Sequence, residues 1–188
     1  MCFSFEVSIG SFIFAWGISL YLLKKKLSME QYHSVIFLMI FSTMQLADAI
    51  LWAIKMEKNT INYIVTSYFI PLILSMQILY NIFVINKNKN IFISIIAILS
   101  CVITFYKFNG YSKSLSNNRF SSPIWGSNEI KFWEFMSFAI LVSYPSLPIF
   151  ATIILVIYPL IHYIVGGAYG SLWCAIGVLK ALHILFTY

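Results

Sequence analysis

One carboxylate sits where a carboxylate is costly. The segment Met44-Gln45-Leu46-Ala47-Asp48-Ala49-Ile50-Leu51-Trp52 lies inside an apolar run from 34 to 54. A run of that length can cross a bilayer, since a spanning helix needs about 20 residues. Asp48 is therefore expected at membrane depth. An acid there costs several kcal/mol unless it is paired, protonated or hydrated, and such residues mark ion and proton paths or interhelical contacts. Gln45 precedes Asp48 by three positions and shares its helix face. Trp52, one turn further on, falls near the interface, where indoles are favoured.

The other chemistry-bearing residues are few. Cys2, Cys101 and Cys174 form no CxxC pair and no Cys/His zinc spacing. Two thiolates and an acid could hold zinc or a softer ion. Alternatively, Cys2 and Cys174 form a disulfide, or the thiols are small apolar fillers. Lys180 is expected near mid-membrane with His183 at i+3. Its Cα level lies within roughly 6 Å of that of Asp48, so a lysine–aspartate pair is expected. His33 falls at a loop edge and reads as solvated. No GxSxG, HExxH, P-loop or dinucleotide fingerprint is present, and no base stands beside a thiol, so an enzyme is disfavoured.

The elements that must position these residues are transmembrane helices. Of 188 residues, 61% are hydrophobic and 10% charged, against about 25% charged in a soluble domain. The mean hydropathy is +0.87. The net charge of +6 is not a nucleic-acid footprint: Lys24, Lys25, Lys26, Lys55, Lys58, Lys87 and Lys89 sit at the ends of apolar runs, where cations anchor spans. In 1–23 the basic cluster follows the apolar stretch, the reverse of a signal peptide, so an uncleaved first span is expected.

The spacing predicts an all-α, polytopic transmembrane helix bundle forming one domain over 1–188. Its spans are 6–23, 34–54, 60–85, 91–106, 132–144, 149–165 and 171–188. That makes seven helices, or six if 132–150 lies in the interface. Residues 27–33 read as a short polar connection. Pro71 is expected to kink the third span. Residues 109–131 read as an extramembrane loop without apolar periodicity, with Trp125 as its ordering residue. The short lysine-bearing turns after spans one and three place the N-terminus outside and the C-terminus in the cytoplasm.

Alternation of seven spans brings Cys2, Glu6, Gln45, Asp48, Ser171 and Cys174 into one leaflet. Three blocks carry a further signal: Met1-Cys2-Phe3-Ser4, Met44-Gln45-x-x-Asp48-x-x-x-Trp52, and Gly170-Ser171-Leu172-Trp173-Cys174. Together they resemble a multi-pass membrane family of bacteria and large DNA viruses that has no assigned activity. Ala175 stands where that family carries an aromatic residue. The resemblance implies a shared site and no particular reaction.

Three functions compete. In the favoured one, a small channel or transporter-like protein has a polar path lined by Asp48, Gln45, Lys180, Glu6 and Ser171. In the second, a membrane assembly subunit uses the same residues only for packing. In the third, a thiol- or metal-dependent membrane enzyme uses Cys2 and Cys174. The expected partners are the lipid bilayer and a homo-oligomer or membrane complex, with no nucleic acid. No cofactor is expected, a metal at Cys2 and Cys174 being the alternative.

Overall fold

The computed structural model describes residues 4–115, 122–126, 131–145 and 169–188. Side chains at 115, 122, 123, 132 and 169–176 are not among those described. Six helices are present among these residues, and the expected span 149–165 lies outside them. The described chain is mostly helical. Three helices are long and apolar enough to cross a membrane, which is compatible with a membrane protein.

Helix α1 (Phe5–Leu22) begins at Ser4, whose hydroxyl accepts from the Val7 amide at 3.3 Å. Helix α2 (Met29–Ala53) starts five residues before the expected span. The reason is a capping box: Ser28 Oγ accepts from the Gln31 amide at 3.2 Å, and Gln31 Oε1 accepts from the Ser28 amide at 3.0 Å. Two otherwise orphaned donors are satisfied at once. The segment expected as a polar connection is thus the first turn of a helix, and His33 lies on that helix. It is half-buried, with Nδ1 3.0 Å from the Tyr80 hydroxyl, and not solvated as expected.

Helix α3 (Thr60–Ile85) is capped by Asn59, which accepts from the Asn62 amide at 2.9 Å. Two of its stretches, Val65–Phe69 and Tyr80–Ile85, are π-helical. The first ends where the Ile70 amide donates back to the Val65 carbonyl, just before Pro71. Proline has no N–H to give its i−4 carbonyl. A widened turn is one way a helix absorbs that loss while staying continuous.

Helix α4 (Ile91–Lys107) is capped by Asn90, and its buried residues are only Ala97 and Thr104. A short antiparallel ribbon follows, β1 (Lys113–Leu115) against β2 (Ser122–Ile124), with Lys113 opposite Ile124. Helices α5 (Phe132–Ser143) and α6 (Tyr169–Thr187) complete the described chain.

Helix α2 is central and packs on α1, α3 and α6. Ala15, Leu22, Val35, Leu38, Ala181 and Ile184 form one cluster of the core. Met44, Leu51, Ile73, Leu74, Phe108 and Trp125 belong to a second. The outward faces remain apolar, with Ile13, Val102 and Phe186 strongly exposed. That is the surface expected of helices solvated by lipid.

Candidate functional site

Asp48 is fully buried on α2, between Met44 and Leu51, which are equally buried. Its Oδ1 accepts a hydrogen bond from the Trp125 indole Nε1–H at 2.8 Å. A carboxylate in apolar surroundings needs donors, and this one comes from the loop expected outside the membrane. The loop therefore folds back onto the bundle and inserts its tryptophan.

The chain around Trp125 explains how. Trp125 directly follows β2, and Gly126 directly follows Trp125 with φ +83°. A Cβ on Gly126 would lie 2.9 Å from Phe108 Cα and 3.0 Å from the Lys107 carbonyl oxygen. Only glycine allows both that dihedral and that approach. The loop is thereby pressed against the end of α4. The Phe108 ring meets the indole edge-on at a centroid distance of 6.0 Å.

The same loop is held at a second point. Asn62 on α3 is fully buried. Its Oδ1 accepts from the Ser112 amide at 2.8 Å and from Thr66 Oγ1 at 3.0 Å. Its Nδ2 donates to the Ser112 carbonyl at 3.0 Å and to the Met56 and Glu57 carbonyls at 3.1 and 3.0 Å. Thr66 and Ser112 hydroxyls lie 2.7 Å apart, and Ser67 Oγ accepts from the Gly110 amide at 2.9 Å. Sequence reasoning missed this network. Its signal was the pair Asn62 and Thr66 at i, i+4 near the start of an apolar span.

Beside Trp125 lies a cavity of about 320 Å³ between α4 and α5, with Leu74 of α3 in its wall. Ile103, Thr104, Phe135, Phe138 and the Trp125 indole complete much of the lining. At the loop end, Lys107 Nζ and Glu134 Oε1 form an ion pair at 2.7 Å. Glu134 Oε2 also accepts from the Lys131 amide at 2.9 Å, which fixes the carboxylate at the start of α5.

The expected polar cluster is brought together only in part. Gln45 is buried one turn from Asp48, and α6 approaches it at Gly177. A Cβ on Gly177 would lie 3.4 Å from Gln45 Nε2 and 3.1 Å from the Phe41 ring. Small residues at such crossings let membrane helices approach closely. Glu6, by contrast, is exposed in the first turn of α1 and stands outside the cluster. Lys180 is exposed on α6, while its neighbour Ala181 is buried. The expected ion pair of Lys180 with Asp48 is not formed, and the acid's described donor is an indole instead. The helix turns its small residues inward and leaves the long cation outside.

Ser171 and Cys174 belong to α6, but their side chains are not among those described, and Cys2 lies outside the described residues. The disulfide and metal expectations therefore fall outside the described residues. Among the described residues, no group of three His, Cys, Asp or Glu side chains converges. Cys101 is a half-buried free thiol, its Sγ 4.0 Å from the Ser75 carbonyl oxygen. No family model, curated protein or solved structure matches this chain.

Proposed function

We propose that the protein is a small channel or transporter-like membrane protein, with Asp48 as the titrating group of a polar path and Trp125 as its gate. The observation that supports this is the double role of one indole. Trp125 donates to the buried acid and also walls the 320 Å³ cavity beside it. Rotating that ring would join cavity and carboxylate. An ionisable group inside a span is by default a functional candidate. Gln45, on the same face of α2, is the next polar group along the path.

The assembly-subunit reading has its own support. Trp125–Asp48 and the Asn62–Ser112 network hold one loop onto the bundle at two points. In that reading the acid is a fastener. Family membership, on the blocks containing Gln45 and Asp48, and an outside N-terminus also belong to this proposal.

Flux decides between the two. Liposomes loaded with a pH-sensitive dye, for a proton gradient, or with a sodium- or potassium-sensitive dye, for those gradients, are to be compared with and without the reconstituted protein. The path reading expects a conductance that Asp48→Asn removes while the variant still folds. No conductance above that of empty liposomes, or an unchanged one in Asp48→Asn, overturns it in favour of assembly.

A further inference from the structure

We infer that the cleft between α4 and α5 is a site for a zwitterionic phospholipid, with one acyl chain in the cavity and the headgroup at the Lys107–Glu134 pair. This goes beyond the flux reading: a chain seated in the cavity occupies the space that reading needs open, so it would have to leave before the Trp125 ring could join cavity and carboxylate.

Three observations lead there. The cavity is apolar along most of its wall, with Leu74, Ile103, Phe135 and Phe138 facing it. Its volume of about 320 Å³ lies within the range of small-molecule sites, about 300–1,000 Å³. Its rim is formed by residues with a lipid-facing character: Ile103 and Trp133 are exposed, and Val102 and Tyr106 continue that surface on α4. An occupant entering sideways therefore comes from the bilayer and is a chain, not a water-soluble molecule.

The charges choose the head. Lys107 ends α4 and Glu134 begins α5, and both line the cavity at the end nearest the loop. The side chains are 24% and 15% exposed, so they remain reachable. A group carrying both a phosphate and an ammonium can exchange with both partners of the ion pair without stranding either charge. A fatty-acid carboxylate would take Lys107 and leave Glu134 facing a like charge. A neutral glycerolipid would leave the pair as it is and gain nothing from it.

The test uses the full-length protein in phosphatidylcholine vesicles. These contain a trace of phosphatidylcholine with a photoreactive diazirine at the end of one acyl chain. Labelled residues are mapped by mass spectrometry. Leu74 is nearly buried in the protein, whereas Leu72 and Met76 on the same helix are exposed to lipid. The expected result is label on Leu74 well above that on Ile78, which is buried away from the cavity. Ser100→Phe, which fills the cavity, then reduces Leu74 labelling severalfold and leaves Leu72 and Met76 unchanged. Ser137→Phe serves the same purpose should the first variant not fold. A diazirine diacylglycerol labels Leu74 severalfold less than phosphatidylcholine, and Lys107→Met removes that difference. Leu74 labelling no higher than that of Ile78 overturns the site. So does labelling unaffected by the filling variants. Equal labelling by diacylglycerol and phosphatidylcholine overturns the headgroup assignment.

Discussion

Trp125 donates its indole proton to Asp48 at 2.8 Å across 77 residues of sequence. The bond joins a connecting loop to the central helix, and it is made where the carboxylate is fully buried. Removing the donor while keeping the ring isolates its contribution. Trp125→Phe is expected to lower stability by about 1–3 kcal/mol, the cost of weakening the satisfaction of a buried polar group. Asp48→Asn keeps an acceptor for the indole and is expected to cost less than Asp48→Leu. Unfolding in a mild detergent, followed by circular dichroism, measures all three; equal losses for Asn and Leu would mean that the bond is not what holds the loop.

Gly126 sets the turn that delivers Trp125. Its φ of +83° and the 2.9 Å approach to Phe108 Cα leave no room for a side chain. Gly126→Ala is expected to destabilise by about 1–3 kcal/mol through backbone strain alone, and more through the clash. Limited proteolysis should cut the variant within 109–131 faster than the parent. An unchanged cutting rate would show that the loop docks without this turn.

Asn62 is the second anchor of the same loop. Asn62→Ala removes the shorter of two bonds from the Ser112 amide, at 2.8 Å, and leaves only Thr66 Oγ1 at 3.2 Å. Hydrogen exchange at Ser112 should speed up. Global stability should fall by about 1–3 kcal/mol as buried partners lose their bonds. Retained protection at Ser112 would refute the anchor.

The Lys107–Glu134 pair should matter little to folding. Its side chains are partly exposed, at 24% and 15%, and such pairs couple by about 1 kcal/mol or less. A double-mutant cycle with Lys107→Met and Glu134→Gln measures the coupling directly. A much larger value would make the pair a structural clasp rather than an adaptable headgroup contact.

Much of the helical frame was legible because its signals are local. Apolar runs of spanning length, ended by lysines or Asn caps, mark α1, α3 and α4 within a residue or so. Asp48 was legible as the residue needing an explanation, because a charge inside such a run has no cheap solution. The identity of its partner was not. Trp125 sits in a segment without periodicity, and its insertion depends on a glycine dihedral and on a three-residue ribbon that no apolar pattern announces. The start of α2 was missed because a Ser28–Gln31 capping box speaks through hydrogen bonds, not hydropathy. Lys180 misled because depth along an axis says nothing about azimuth. Nor does it fix register: Gly177 already meets Gln45 and Ala181 clusters with Leu38, so Lys180 lies beyond the acid's level as well as on the exposed side of its helix.

The widened turn at Val65–Phe69 has a consequence for the whole of α3. Each residue beyond the regular repeat rotates everything downstream by about 100° and advances it by about 1.5 Å. Asn62 and Thr66 grip the loop from upstream of the last residue of that turn, while Asn81, further along, donates to the Leu141 and Tyr144 carbonyls at 3.0 and 2.9 Å. The phase offset is what lets one rod address two different neighbours with its polar side chains. Deleting a single residue from 65–69 would reset the phase, swing Asn81 away from the end of α5 and leave those two carbonyls without it.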